Sequence, residues 1–212
     1  MRATVLLFVV GVLVAGCKDP GAEVTAAKVE SAPDTKAEAA SGGDRDSKAA
    51  SSLAIDPSNS EIEFIGAKVT ASHPGGFTDF AGKVGVGDPI ETSTIEVTIQ
   101  TASLFADKEK LTKHLKSPDF FDVGKFPTAT FRSSEIKKDG KGHTISGDLT
   151  LHGVTKRISF PTTLEVNDAK VSANAEFSIN RQDYGITYPG MPDDLIRDLV
   201  VIKLKLELPR QS

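Results

Sequence analysis

Val200-Val201-Ile202-Lys203-Leu204-Lys205-Leu206-Glu207-Leu208 is the stretch that decides the fold. Apolar side chains occupy every second position from 200 to 208, and Lys203, Lys205 and Glu207 stand between them. A period of two places the apolar set on one face and the charges on the other, which is a strand with one dry and one wet side. Toward the N-terminus the same alternation recurs. Val171, Ala173, Ala175, Phe177 and Ile179 alternate with Ser172, Asn174, Glu176 and Ser178. Leu149 and Leu151 alternate with Asp148, Thr150 and His152, and Ile95, Val97 and Ile99 with Glu96, Thr98 and Gln100. One-sided alternation favours antiparallel sheets, because parallel sheets are covered on both faces.

Turn signals separate these runs. Lys138-Asp139-Gly140-Lys141-Gly142 divides the strand around Phe131 to Ile136 from the one starting at Thr144, and Asn167-Asp168 divides Leu164-Glu165-Val166 from the strand beginning at Ala169. His152-Gly153 marks a sharp bend between two short strands. One helix is predicted, from Asp107 to Leu115, with Asp107 as its cap and Pro118 beyond its end. The pattern gives an all-β fold, a sandwich or a barrel. A closed barrel removes exposed strand edges, and barrels of about eight strands are either filled by side chains or hold one small ligand. Gly147, Ala173 and Ala175 sit on the dry faces. Small inward residues leave volume that a bound apolar molecule would fill favourably; the alternative is that they lie beneath the helix or where the wall flattens.

The 212 residues fit one folded domain, and 39% hydrophobic content is enough for a core. The net charge of -4 comes from interleaved lysines and acids, so no basic face for nucleic acid is expected. There are 11 phenylalanines, two tyrosines and no tryptophan, which suits a dry interior. Cys17 is the only cysteine, so no disulfide can form within the chain. Before it, Met1-Arg2 and the apolar run from Val5 to Val14 read as a secretory signal, too short to span a bilayer, which takes about 20 residues. Leu13-Val14-Ala15-Gly16-Cys17 resembles the lipobox of bacterial lipoproteins, which implies acylation of Cys17 and a membrane anchor. Lys18, rather than Asp, follows it, and by resemblance to sorting in enteric bacteria this favours the outer membrane, facing the periplasm. Residues 18–52 are rich in Ala, Ser, Asp, Glu and Lys and hold only Val24 and Val29 as larger apolar residues. Such a segment buries too little to order itself and would act as a flexible tether spanning roughly 30 Å. The expected layout is a signal peptide over 1–16, the lipidated cysteine and disordered tether over 17–52, and the barrel over 53–212.

The stretch from Asp107 to Phe131, centred on Ser117-Pro118-Asp119-Phe120-Phe121-Asp122-Val123-Gly124-Lys125-Phe126-Pro127, strongly resembles the YceI-like family of bacterial periplasmic proteins and lipoproteins. Gly147-Asp148-Leu149-Thr150-Leu151-His152-Gly153-Val154-Thr155-Lys156 and Arg181-Gln182-Asp183-Tyr184-Gly185-Ile186 are similar to two further signatures of that family. The resemblance covers the chain from about Leu53 to its end. It implies an extended antiparallel lipocalin-like β-barrel of about eight strands with one short helix, and an amphiphilic isoprenoid, a quinone or polyprenol, in the lumen without covalent attachment. It departs from the family's commoner form at Ala67 to Phe77, the approach to the entrance.

Lumen candidates are Phe64, Phe77, Phe80, Phe120, Phe121, Phe126, Phe131, Leu149, Phe160 and Phe177. These either touch an apolar tail or pack the core and plug the barrel end; alternation alone leaves both open. Arg181, Asp183 and Tyr184 are candidates for a polar head group at the mouth, against an internal role fixing the turn at Tyr184-Gly185. His73, His114, His143 and His152 match no metal-ligand spacing. Asp119 and Asp122 fit turns and caps better than a catalytic dyad. Gly82-Lys83-Val84-Gly85-Val86-Gly87 precedes no helix, so it is not a phosphate loop. The expected function is a membrane-tethered lipid-binding protein, a carrier, store or sensor and not an enzyme. The alternatives are an enzyme that isomerises or cyclises a lipid-like substrate in the lumen, with Arg181, Asp183 or Tyr184 as its acid or base, and a structural lipoprotein with a filled barrel. The sequence leaves a homodimer open.

Overall fold

Leu199–Pro209, the strand of strict alternation, lies inside a single large antiparallel sheet. The computed structural model describes residues 19–30 and 51–210. In chain order the elements are α1 (Pro20–Glu23), β1 (Lys28–Glu30), β2 (Ser51–Ile55), β3 (Ser60–Ala67), β4 (Ser72–Phe77), β5 (Phe80–Val86), β6 (Thr94–Gln100), β7 (Leu104–Ala106), α2 (Glu109–Leu115), β8 (Thr128–Asp139), β9 (Gly142–Leu151), β10 (Val154–Val166), β11 (Lys170–Asn180), β12 (Gly190–Met191), β13 (Asp194–Leu195) and β14 (Leu199–Pro209). Strands pair in the order β2-β5-β6-β8-β9-β10-β11-β14-β3-β4-β7, with β1 added on β10, so twelve strands share the sheet and β12-β13 form a separate hairpin.

The sheet curls into a half-barrel whose apolar faces point inward. Twelve strands replace the expected eight because β1, β2 and β7 are three to five residues long and carry too little alternation to be read from sequence. The strands flanking His152-Gly153 are ten and thirteen residues long rather than short. Both turn residues have positive φ, 51° and 75°, which is the backbone of a tight two-residue hairpin. At the far end of the barrel Leu53, Ile55, Val84, Val86, Ile136, Ile145 and Leu208 pack into a closed core.

α2 starts at Glu109, and its N-cap residue Lys108 makes no side-chain cap. Asp107, expected to cap the helix, instead pairs with His73 at 3.0 Å. The Thr112 hydroxyl accepts the Ala106 N–H at 2.9 Å and ties the helix to β7.

The N-terminal segment corrects part of the expected tether. β10 and β11 are paired only at residues 163–166 and 171–174 and then diverge. Residues 25–30 fill the gap. β1 pairs with β10 from Lys28↔Ser159 to Glu30↔Arg157. On the other side Ala27 N–H donates to Ser178 O at 2.8 Å and Ser178 N–H donates to Thr25 O at 3.1 Å. α1 packs over the outer face of β14 and β11, where Ser178 and Val201 are fully buried. Here ordering comes from backbone bonds to two free strand edges and needs almost no apolar side chain, so composition could not show it. The signal peptide, Cys17 and residues 31–50 lie outside the described residues.

Gly147 does not open the lumen as its small size suggested. A Cβ there would stand 2.5 Å from Arg132 O and 2.5 Å from the Phe131 ring, so the glycine is the seat on which Phe131 lies. Gly147→Ala should therefore destabilise the fold by about 1–3 kcal/mol, whereas Gly124→Ala, which meets nothing within 4 Å, should stay within about 0.5 kcal/mol of the parent. Urea denaturation of the two variants checks this; equal stability would show that Phe131 is free to move aside.

Candidate functional site

Above the closed core the half-barrel is hollow. The cavity has a volume of about 1050 Å³, at the upper end of small-molecule sites, which run to about 1,000 Å³. β14 presents Val200, Ile202, Leu204 and Leu206 to it, and these residues are only half-buried because they face the hollow rather than packed neighbours. Opposite lie Ile95, Val97 and Ile99 of β6. Ala173 and Ala175 of β11 also line it, and their short side chains keep the space open.

Eight of the ten sequence candidates are in the lining: Phe64, Phe77, Phe120, Phe121, Phe131, Leu149, Phe160 and Phe177. They form two aromatic runs. Phe131, Phe160 and Phe177 cross β8, β10 and β11 with centroids 5.7 Å and 4.2 Å apart, the second pair stacked at 12°. Phe64, Phe77 and Phe121 cross β3, β4 and the loop after α2, each step 6.0 Å. Phe80 and Phe126 lie outside the lining. Phe80 is in the buried core, and the Phe126 ring packs on His152 at 4.3 Å and covers Gly153.

Sequence reasoning missed the mouth. There the rings of His114, Phe120 and Tyr188 cluster at 5.0 to 5.3 Å, and the His114 imidazole is 2.8 Å from Asp119. Leu111 and Leu115 of α2 cover one side, and the β12-β13 hairpin stands on the other. Lys68 binds Asp194 at the hairpin base, and the Thr70 hydroxyl donates to the same carboxylate at 3.0 Å. These contacts hold the Asp194 carboxyl below its ordinary pKa. No periodicity marks residues 186–197, so only tertiary structure brings Tyr188, Met191 and Ile196 to the cavity. A second omission is Thr162. Besides Tyr188 at the mouth it is the one hydroxyl residue among the described lining, set beyond Phe160 toward the closed end, and its oxygen is buried with no partner among the described residues.

The three head-group candidates separate. Arg181 lines the cavity, yet its guanidinium is turned to the backbone: it donates to Ile186 O at 2.7 Å, Arg197 O at 3.1 Å and Asp198 Oδ1 at 3.1 Å. Burial lowers its pKa and Asp198 opposes that shift; a guanidinium nevertheless stays charged. Arg181 thus pins the 181–198 loop. Asp183 is outside the lining. Tyr184 is fully buried outside the lining, and its hydroxyl has no partner among the described residues. Burial, with Asp183 as a lesser cause, raises its pKa above the ordinary phenol value.

Because the folded state keeps the Tyr184 proton above pH ~10, where the unfolded chain releases it, this residue's contribution to stability is intact below that pH and is lost as pH rises. Tyr184→Phe removes an unpaired buried hydroxyl, so it should stabilise the protein by about 1 kcal/mol and flatten the alkaline loss. Thermal melts at neutral and alkaline pH check both effects; a clear loss of stability at neutral pH would reveal a hydrogen bond at this hydroxyl.

Comparison with known proteins places this architecture. Residues 53–208 match the YceI-like domain. A UPF0312 protein of Pseudomonas fluorescens is 42% identical over 107 residues, 47% of this chain and 56% of that protein. One from Pseudomonas putida is 40% identical over 124 residues, 55% of this chain and 65% of its own length; the chain thus matches between about half and two thirds of the length of these curated relatives. Among solved structures, Burkholderia cenocepacia BcnA superposes with a TM-score of 0.65 at 23% identity, covering 74% of this chain and 99% of BcnA. A polyisoprenoid-binding domain from Saccharophagus degradans gives 0.60 at 15% identity, covering 76% and 98%. At these identities the two structures show a shared fold.

Proposed function

The chain belongs to the YceI-like family, and we propose that it is an anchored lipid-binding protein that holds one isoprenoid-type molecule, a prenylated quinone or a polyprenol, in the half-barrel lumen. The observation that carries this is the cavity itself: about 1050 Å³ walled by aliphatic and aromatic side chains, with Ala173 and Ala175 where larger residues would close it. A filled structural barrel would need those positions occupied. The fold shared with a polyisoprenoid-binding domain supports the ligand class.

An isoprenoid tail suits these walls because it presents only apolar surface. At about 25 cal/mol per Å² buried, each 100 Å² of tail contributes about 2.5 kcal/mol without a hydrogen bond. The two Phe runs supply flat, stiff contacts for branched chains. Acylation of Cys17, carried by its resemblance to a lipobox, would hold the domain to a bacterial membrane on the periplasmic side, the outer membrane being favoured by Lys18. Below the mouth Thr162 is the only lining hydroxyl among the described residues, and Arg181 is committed to the carbonyls of Ile186, Ile196 and Arg197 and to Asp198. Among the described residues no acid–base pair of the kind that proton transfer requires stands beside Thr162; His114 with Asp119 and Lys68 with Asp194 stand at the mouth, and this supports a carrier, store or sensor over an enzyme.

Titration with a long-chain prenylated quinone, followed by quenching of intrinsic fluorescence, tests the assignment. The wild-type chain should bind at one equivalent. Ala175→Phe, which fills the hollow, should weaken binding by at least about tenfold, the loss of roughly 1.4 kcal/mol, with the thermal midpoint unchanged or raised. Undiminished affinity in that variant would place the ligand somewhere other than the lumen.

A further inference from the structure

We infer that the cavity mouth is a membrane-docking surface and that the ordered N-terminal segment holds it against the bilayer. The inference rests on the anchored reading of Cys17 given above. The occupant is a lipid surface carrying anionic phosphate head groups.

Three observations lead to it. The first is where the chain enters the fold. Asp19 lies 3.8 Å from Arg197, a residue of the cavity lining, and its carboxylate accepts the Gly21 N–H at 3.0 Å to start α1. Gly21 is buried so tightly that a Cβ there would stand 2.5 Å from Leu199 Cβ. Only Lys18 stands between Cys17 and Asp19, and two residue steps reach at most about 7 Å. An acyl anchor on Cys17 would therefore lie within reach of the mouth rather than at the end of a long tether.

The second is the mouth's exposed apolar side chains. Met191 is 62% exposed, Leu195 49% and Val69 42%. All three stand on or against one hairpin: Val69 N–H donates to Leu195 O at 3.1 Å, and Met191 pairs with Asp194 in the β12-β13 turn. Exposed apolar residues gathered on one projecting hairpin and rimmed by polar ones mark an interaction surface. The third is charge. Lys108, Lys110 and Lys113 of the α2 region are exposed and line the same mouth. Glu109 offsets Lys113, and Lys68 is held by Asp194. Lys108 and Lys110 have no ion-pair partner among the described residues and are left to meet phosphates, across the mouth from the apolar hairpin. Apolar insertion combined with lysine attraction to anionic lipid is how interfacial proteins dock. In this pose a lipid passes between bilayer and lumen without crossing water.

The test uses the full mature protein, extracted from bacterial membranes and reconstituted into phosphatidylethanolamine–phosphatidylglycerol vesicles that contain a lipid-borne nitroxide quencher. Met191→Cys, Leu195→Cys and, at the opposite end in the 167–168 turn, Asp168→Cys each receive an environment-sensitive fluorophore; acylation blocks Cys17. Quenching at 191 and 195 should exceed that at 168 several-fold, and Lys108→Glu with Lys110→Glu should reduce it. Equal quenching at all three sites in an acylated protein overturns the docking pose alone. An unmodified Cys17 in the intact mass overturns the anchor and the pose with it. Binding of prenylated quinone by the same variants reports separately on the lumen.

Discussion

A curled sheet with an apolar inner face has to cover that face with something. In this protein the requirement is met in two ways along one barrel. At the closed end, side chains from β2, β5, β8, β9 and β14 interdigitate, and Ile55, Leu208 and Val84 are almost fully buried. Toward the mouth the same alternation continues, but the opposing walls no longer meet. Val200, Ile202, Leu204 and Leu206 face a hollow. Void surface forfeits dispersion contacts, so the upper half of the fold has a standing demand for an apolar guest. Ala173 and Ala175 maintain that demand where a leucine would have removed it. The aromatic runs, the helix lid and the ring cluster at the mouth all follow from shaping one hollow.

The seam between β10 and β11 is the second consequence of curling. Their hairpin pairs for four residues before the strands splay, which leaves backbone groups on both edges without partners. Residues 25–30 supply them, from β1 on one side and Thr25 and Ala27 on the other. The segment that closes the wall is thus the one that leads back in sequence toward Cys17, so the proposed anchor would be tied to barrel integrity through a few backbone hydrogen bonds. Such a short pairing is the weakest part of the wall and the first expected to open.

Much of this was legible in the sequence because strands advertise themselves by period. The alternation over 200–208 and 171–179 fixes two long neighbours of the lumen, and the turns at 140–141, 152–153 and 167–168 fall where Gly and Asn make them cheap. The signatures at 107–131, 147–156 and 181–186 carried the family. What was hidden depended on tertiary context. Alternation told which faces of Phe131 and Phe177 are dry, not that Phe80 and Phe126 stand outside the hollow. Tyr184 and Asp183 lie beside a residue of the cavity wall in sequence, yet the 3-10 turn Arg181–Tyr184 points them elsewhere. Asp107 looked like a helix cap, but His73, 34 residues away, captured it. The strap over 19–30 buries little apolar surface, so hydropathy had nothing to register.

The central claim is that the hollow holds an isoprenoid-type lipid. Native mass spectrometry of the full chain, released intact from the membranes of a bacterial host and followed by organic extraction, measures this directly. The account predicts a single adduct per protein whose extracted mass is that of a quinone or polyprenol of the host. A protein that arrives empty, and stays empty when those lipids are added in excess, would contradict it.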